Sequence, residues 1–140
     1  MIRKILVGYD GSGSAQKAFE LSLDLARKYN AELHLLAVAR PPEFGGEVET
    51  EAVVESSLRH YTEMFQPLKT LLSNATGFQV HFEVVIGHPA EQIVIYAEEH
   101  GIDHIVVGHR GHSLFERWLL GSVARRVVAY APCAVTVVRG

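Results

Sequence analysis

The segment IVVGHRGHSLFERWLLGS, residues 105–122, carries the most informative pattern in this chain. A short β-branched run ends at Gly108, a second glycine follows at position 111, and after nine intervening residues the chain reaches Gly121 and Ser122. Glycines leave main-chain N–H groups accessible, and a small hydroxyl residue at a helix start adds a donor beside the positive helix end. The segment therefore predicts a strand, a phosphate-binding loop and the start of a helix.

Outward from this segment, strand-like runs alternate with helical patterns along all 140 residues. Strands are predicted at 2–7, 33–39, 78–86, 102–107 and Ala134–Val138. Helices are predicted to begin at Ser12 or Ser14, at Thr50, at His88 and at Ser122. This alternation predicts one α/β domain over 1–140, an open, parallel five-stranded sheet with helices on both faces.

The helical patterns also predict which side chains face the sheet. In the first helix the inward set is Ala18, Leu21, Leu25 and Tyr29, and in the last helix it is Val123, Val127 and Tyr130. Residues 41–49 are expected to form a loop, interpreted either as a lid over the site or as a mobile connection. Pro67 is expected to kink the second helix, which should end at Gly77.

Glycines 108, 111 and 121, with Ser122, resemble the ATP-binding signature of the universal stress protein family. The segments ILVGYDGS, residues 5–12, and APCAVTVVR, residues 131–139, resemble the first and last strands of the same family. The resemblance covers the whole chain and implies the strand order 3-2-1-4-5. In that order the loops after the first and fourth strands meet in one crevice, where parallel sheets bind ligands.

The resemblance implies nucleotide contacts from both halves of the sheet. It assigns Asp10 to the nucleotide, and the alternative is a turn aspartate that bonds its own loop. It places the adenine edge against the backbone of Val38 and Ala39.

Phosphate is expected on Gly108, Gly111, Gly121 and Ser122, with an N–H group from Val123. His109 and Arg110 lie inside this loop, and Arg110 can add positive charge against the phosphates. Each of these two side chains is also compatible with a solvated loop position, and both interpretations remain open.

No metal site built by the protein and no catalytic residue is predicted. His100 and His104 are separated by a helix end, and His109 and His112 share a loop with no nearby cysteine. Mg²⁺ is expected only as a companion of ATP. His109 is the one candidate general base, and no nucleophile and base pair accompanies it.

Composition restricts the partners and the compartment. The formal net charge is −3 and the basic residues are scattered, which argues against a nucleic-acid partner. The apolar runs are too short for a secretion signal or a membrane span, so a cytoplasmic protein is expected. The last strand, Ala134–Val138, is expected at a sheet edge, and the resemblance implies a homodimer through it.

Three hypotheses about function follow. The first is a homodimeric, ATP-binding universal stress protein whose nucleotide sets loop conformations that an unknown protein partner recognises. The second is a slow ATP hydrolase. The third is a protein-interaction module that binds no nucleotide, against which the intact glycine pattern argues.

Overall fold

The computed structural model describes residues 1–42, 46–73, 77–110 and 120–140. The strands are β1 (Lys4–Gly8), β2 (Glu32–Ala39), β3 (Val80–Ile86), β4 (His104–Gly108) and β5 (Ala134–Val138). The helices are α1 (Gly13–Tyr29), α2 (Glu47–Leu72), α3 (Pro89–His100) and α4 (Ser122–Tyr130). None of these helices is long and apolar enough to cross a membrane.

The five strands form one parallel sheet in the order β3-β2-β1-β4-β5. This result confirms the predicted fold class and strand order. The chain builds outward from β1 through β2 to β3, then crosses back to add β4 and β5 on the other side of β1. The order therefore reverses between β1 and β4, which opens a crevice at their carboxyl ends.

Alternation along the strands sends neighbouring side chains to two separate cores. Ile5 and Val7 pack with residues of α1 and α2 on one face, whereas Leu6 packs with residues of α3 and α4 on the other. β1 is buried on both faces in this way, as expected for a central strand of a parallel sheet. The two helical layers thus cover both faces of the sheet.

The beginning of α1 follows the sequence prediction. Ser12 is the N-cap, and its side chain accepts a hydrogen bond from the Ala15 N–H at 3.3 Å. Helix α2 differs from the prediction in its bounds, because it begins at Glu47 and ends at Leu72, with Pro67 inside it. The predicted loop at 41–49 is correspondingly shorter, and its residues 43–45 lie outside the described ranges.

Two tyrosines predicted to face the sheet are instead exposed. Tyr29 is 52% exposed and Tyr130 is 72% exposed. Each is the last residue of its helix, so the 3.6-residue pattern extends past the part of the helix that packs on the sheet. In α1 the buried face is formed by smaller side chains together with one aromatic ring and one leucine: Ser14, Ala15, Ala18, Phe19, Ser22, Leu23 and Ala26.

Candidate functional site

A cleft of about 650 Å³ lies at the carboxyl ends of β1 and β4. Strand ends provide Gly8, Val38 and Gly108 to its lining, and the beginning of α4 provides Ser122 and Val123. The cleft occupies the place where the strand order reverses, which is the usual ligand position in open α/β sheets. Its volume falls in the range of small-molecule and cofactor sites.

Asp10 holds the turn that leads from β1 into α1. Its Oδ1 atom accepts a hydrogen bond from the Ser12 N–H at 2.9 Å, and Gly11 between them has a φ of +80°. This is an Asx-type turn in which a carboxylate replaces a backbone acceptor. Asp10 also lines the cleft, so the two interpretations of this residue are compatible with each other.

Gly108 brings α1 against the end of β4. A Cβ atom at this position would lie 2.4 Å from the Ser14 Oγ and 2.7 Å from the Ser14 backbone carbon. The Ser14 hydroxyl donates a hydrogen bond to the carbonyl oxygen of Arg110. The absence of a side chain at Gly108 therefore permits helix–strand contact, besides leaving its own backbone open toward the cleft.

Helix α4 points its amino terminus into the cleft. Gly121 is the N-cap, with φ −63° and ψ 161°, and its N–H donates to the His109 carbonyl at 2.7 Å. The N–H groups of Ser122, Val123 and Ala124 belong to the first turn, where a helix provides no acceptor of its own. All three residues line the cleft, so they present donors and the positive helix end to a ligand.

The cleft brings together most, but not all, of the predicted site residues. Those that line it are Asp10, Val38, Gly108, Arg110, Gly121, Ser122 and Val123. Ala39 and His109 are described but are not among the lining residues. Gly111 lies outside the described ranges.

The positions of Ala39 and His109 have local explanations. The Ala39 carbonyl accepts a hydrogen bond from the Gly87 N–H at 3.0 Å, which ties β2 to the end of β3. The His109 N–H donates to the Val138 carbonyl at 2.8 Å, which continues the pairing of β4 with β5. Within the described residues, the buried Nδ1 atom of the His109 ring has no hydrogen-bond partner.

Several lining residues were not anticipated from the sequence. Arg40 follows β2, Ser57 and Tyr61 come from α2, and Pro89 and Ile93 come from α3. Tyr61 packs against the core from α2, and Ser57 lies one turn before it, so the helical period was the available signal. No sequence signal placed α2 beside the crevice, because that contact depends on how the helix crosses the sheet.

Positive charge prevails among the described lining residues. These residues include two arginines, Arg40 and Arg110, and one carboxylate, that of Asp10. Burial, followed by the Asp10 charge, raises the pKa of Tyr9, so its hydroxyl stays protonated at neutral pH. This hydroxyl donates to the Gln16 Oε1 at 2.8 Å. The resulting balance of charge suits an anionic ligand that also offers polar groups to Asp10.

Solved structures share this architecture. The universal stress protein UspA from Lactobacillus plantarum superposes with a TM-score of 0.89 at 28% identity, covering 98% of this chain and 97% of the other. A universal stress protein solved in complex with cAMP has a TM-score of 0.66 at 24% identity, covering 97% of this chain and 96% of that one. An Arabidopsis thaliana family protein with AMP bound has a TM-score of 0.63 at 19% identity, covering 98% and 91%.

Sequence comparisons agree with the structural ones. A universal stress protein of Methanocaldococcus jannaschii is 33% identical over 99% of this chain and 83% of its own length. One of Methanothermobacter thermautotrophicus is 36% identical over 99% of this chain and 97% of its own length. The sequence model of the universal stress protein family matches residues 1–139. The chain therefore belongs to the universal stress protein family.

Proposed function

We propose that this chain is an ATP-binding, nucleotide-responsive universal stress protein. The observation that carries the proposal is the position of Gly121 and Ser122, at the amino terminus of α4 and in the lining of the cleft between β1 and β4. A helix start that opens into a cleft binds phosphate through main-chain N–H groups and the helix dipole.

The phosphate end of the nucleotide is assigned to the α4 side of the cleft. The first-turn N–H groups of Ser122 and Val123 and the exposed Ser122 hydroxyl would donate to phosphate oxygens. Arg110 would add charge from the loop after β4, and Arg40 from the loop after β2. Mg²⁺ would accompany ATP, because it binds phosphate oxygens with few protein ligands.

The base and ribose are assigned to the β1 and β2 side. Val38 lines the cleft with Ile93 and Val107, which gives the base an apolar wall. The Ala39 carbonyl already accepts a hydrogen bond from the Gly87 N–H. Of the two residues, we therefore expect the backbone of Val38 to make the main contact with the adenine edge. Asp10 would accept hydrogen bonds from the ribose hydroxyls while Oδ1 continues to hold its turn.

The related structures support the class of ligand. One neighbour was solved in complex with cAMP and another with AMP bound. Both ligands carry adenine, ribose and one phosphate, so they are compatible with a cleft that presents a backbone cradle to phosphate. We further propose that the ligand of this chain is ATP, that the chain forms a homodimer and that it is cytoplasmic.

We propose that the bound nucleotide acts by changing the conformation of a loop. The segment 109–120 joins the two phosphate-binding ends, so a bound nucleotide would fix its conformation, and a protein partner would recognise that state. Slow hydrolysis is the alternative. His109 would have to supply the base, and its ring is not in the described lining of the cleft, so the binding function is the better supported of the two.

The test uses the full chain purified without added nucleotide. The protein is denatured, and the base and phosphate number of any released compound are identified by chromatography and mass spectrometry. Gly121→Val is the test variant, and Gly46→Val is a matched control. Both glycines are helix N-caps with similar backbone angles, φ −63° and ψ 161° for Gly121 and φ −73° and ψ 164° for Gly46. Only Gly121 lines the cleft.

The expected result is ATP at near-equimolar amounts from the wild type and from Gly46→Val, and loss of ATP from Gly121→Val. Release of ADP or AMP would support hydrolysis instead. A wild type that releases no nucleotide and fails to take up added ATP with Mg²⁺ would refute both nucleotide functions and leave the interaction module.

A further inference from the structure

Glu32, His34 and His81 form a cluster at the end of the sheet opposite the nucleotide cleft. Glu32 begins β2, His34 is two residues later, and His81 is the second residue of β3. Their ligand atoms, one carboxylate oxygen and two imidazole nitrogens, all lie within 4.8 Å of one another. No step of the proposed nucleotide function uses these residues.

Two features of the sheet bring the three side chains together. Residues two apart on a strand point to the same face, so Glu32 and His34 are neighbours. β2 and β3 pair in parallel with His34 opposite His81, and the two rings stack with centroids 4.5 Å apart. The Glu32 Oε1 lies 3.0 Å from the His34 Nε2 and 2.9 Å from the His81 Nε2.

We propose that Glu32, His34 and His81 form a Zn²⁺ site with one position open to solvent or to a further ligand. Two imidazoles and one carboxylate are a donor set that zinc uses with a fourth, exchangeable ligand. Ligand atoms about 2.0–2.1 Å from a tetrahedral zinc lie roughly 3.3 Å from each other. The Glu32 oxygen lies 3.0 Å and 2.9 Å from the two imidazole nitrogens, and all three ligand atoms lie within 4.8 Å of one another, so side-chain adjustments would bring them around one ion.

The second ring nitrogen of His34 has the partner that a metal ligand needs. The His34 Nδ1 lies 2.6 Å from the Tyr96 hydroxyl oxygen. For its Nε2 lone pair to face a metal, His34 must carry the ring proton on Nδ1, where the Tyr96 oxygen can accept it. Such a hydrogen bond fixes both the tautomer and the ring orientation of a ligating histidine.

Burial separates the roles of the two histidines. His34 is 4% exposed, so the surrounding side chains hold its ring in one orientation. His81 is 46% exposed and leaves the ion a path from solvent. The buried ring would provide a fixed ligand, and the exposed ring would close the site.

The surrounding charges favour a cation. The three residues belong to a surface cavity that also contains Glu83 and Glu99, together with Lys4 and Lys69. Three carboxylates therefore face two ammonium groups. His100 lines the same cavity and stacks on Tyr96 with centroids 3.8 Å apart, which supports the side chain that orients His34.

The alternative is a hydrogen-bonded network in which both Nε2 atoms carry protons and donate to the one Glu32 oxygen. The two interpretations differ in a measurable way. A network of this kind satisfies its groups without an ion and has no saturable affinity for zinc.

The experiment titrates Zn²⁺ into the full chain after chelator treatment and dialysis, with isothermal calorimetry as the readout. We expect one ion per chain. His81→Gln and Glu32→Gln should each weaken binding by at least about tenfold, since even an outer-sphere partner of a metal site contributes 10–100-fold. His60→Gln changes an exposed histidine on α2 away from the cluster and should bind Zn²⁺ like the wild type.

A second readout identifies the ligands without a substitution. Zinc should shift the imidazole ¹⁵N resonances of His34 and His81 and leave that of His60 unchanged. Circular dichroism and thermal unfolding of each variant without metal would show that it is folded. The proposal is overturned if the wild type shows no saturable 1:1 binding, or if folded His81→Gln and Glu32→Gln bind Zn²⁺ as tightly as the wild type.

Discussion

A Cβ atom on Gly108 would lie 2.4 Å from the hydroxyl oxygen of Ser14. The first turn of α1 is therefore packed directly on the last residue of β4. This contact joins the two sides of the cleft between β1 and β4, because the loop from β1 leads into α1 and the glycine-bearing loop leaves β4. One glycine of the family pattern thus has a packing role beside its proposed role in phosphate binding.

Replacing Gly108 should destabilise the fold even without a nucleotide. We expect Gly108→Ala to lower the free energy of unfolding by about 1–3 kcal/mol, the usual cost of overpacking. The added methyl also approaches the Ser14 backbone carbon to 2.7 Å, so Ser14→Ala should not rescue the variant. Urea denaturation of nucleotide-free protein provides the measurement.

Gly13→Ala is the control for that experiment. A Cβ atom at Gly13 meets nothing within 4 Å, and Gly13 is the first residue of α1. Its stability should be unchanged or slightly higher, because alanine is the better helix former. Equal stabilities for the Gly108 and Gly13 variants would show that the close contact with Ser14 is unimportant.

Asp10 offers a way to separate turn formation from nucleotide binding. Asp10→Asn keeps an oxygen that can accept from the Ser12 N–H, so its stability should stay within about 0.5 kcal/mol of the wild type. Loss of the charge should weaken ATP binding by roughly fivefold, because hydrogen bonds to charged groups exceed neutral ones by about 1 kcal/mol. Calorimetric titration with ATP and Mg²⁺ measures this difference.

Asp10→Ala completes the comparison. It removes the turn acceptor as well, so both stability and affinity should fall below those of Asp10→Asn. If Asp10→Asn binds ATP as tightly as the wild type or more tightly, Asp10 serves the turn alone.

The stability of the sheet should depend on pH through His104. Its Nε2 lies 2.7 Å from the Thr136 Oγ1, which links β4 to β5. Burial lowers the pKa of His104 below 6.5, and the neighbouring Asp103 only partly opposes this shift. The unfolded chain therefore binds a proton more readily than the folded protein, so stability is retained above pH 6.5 and falls as the pH drops below it.

The measurement is urea denaturation of wild type and His104→Gln between pH 7.5 and 5. Glutamine keeps polar groups near Thr136 but does not titrate. As the pH falls, the wild type should therefore lose more unfolding free energy than His104→Gln, so any stability advantage of the wild type should shrink or reverse. A difference that is constant over this range would contradict the assignment.

The proposed homodimer through β5 predicts a protection pattern. Both β3 and β5 are edge strands of the described sheet, so each chain offers two candidate edges. In hydrogen exchange, amides of Ala134–Val138 should become better protected as the protein concentration rises, while those of Val80–Ile86 should not. Sedimentation velocity on the same samples gives the molecular mass. If the exchange protection of the β5 amides stays the same over the concentration range in which monomer converts to dimer, β5 is not the interface.

Much of the fold was predictable because its signals are local. β-Branched runs predicted the five described strands, and the helical period predicted the four described helices. Tyr29 and Tyr130 were wrongly predicted to be buried, because each is the last residue of its helix and lies beyond the part that packs on the sheet. Pro67 lies inside α2, although proline removes one intrahelical hydrogen bond. The strand order came from family resemblance, since periodicity does not specify which strands are neighbours.

The parallel α/β class, the glycines and serine of the 108–122 pattern and the capped start of α1 could be predicted from the sequence, because each depends on residues close together in the chain. The tertiary structure alone decided that Arg40 and Tyr61 line the cleft with Gly121, and that Glu32 and His34 meet His81. These side-chain contacts depend on the register between neighbouring strands and on the angle at which each helix crosses the sheet. Both are set by the packing of the whole sheet, so spacing along the chain does not reveal them.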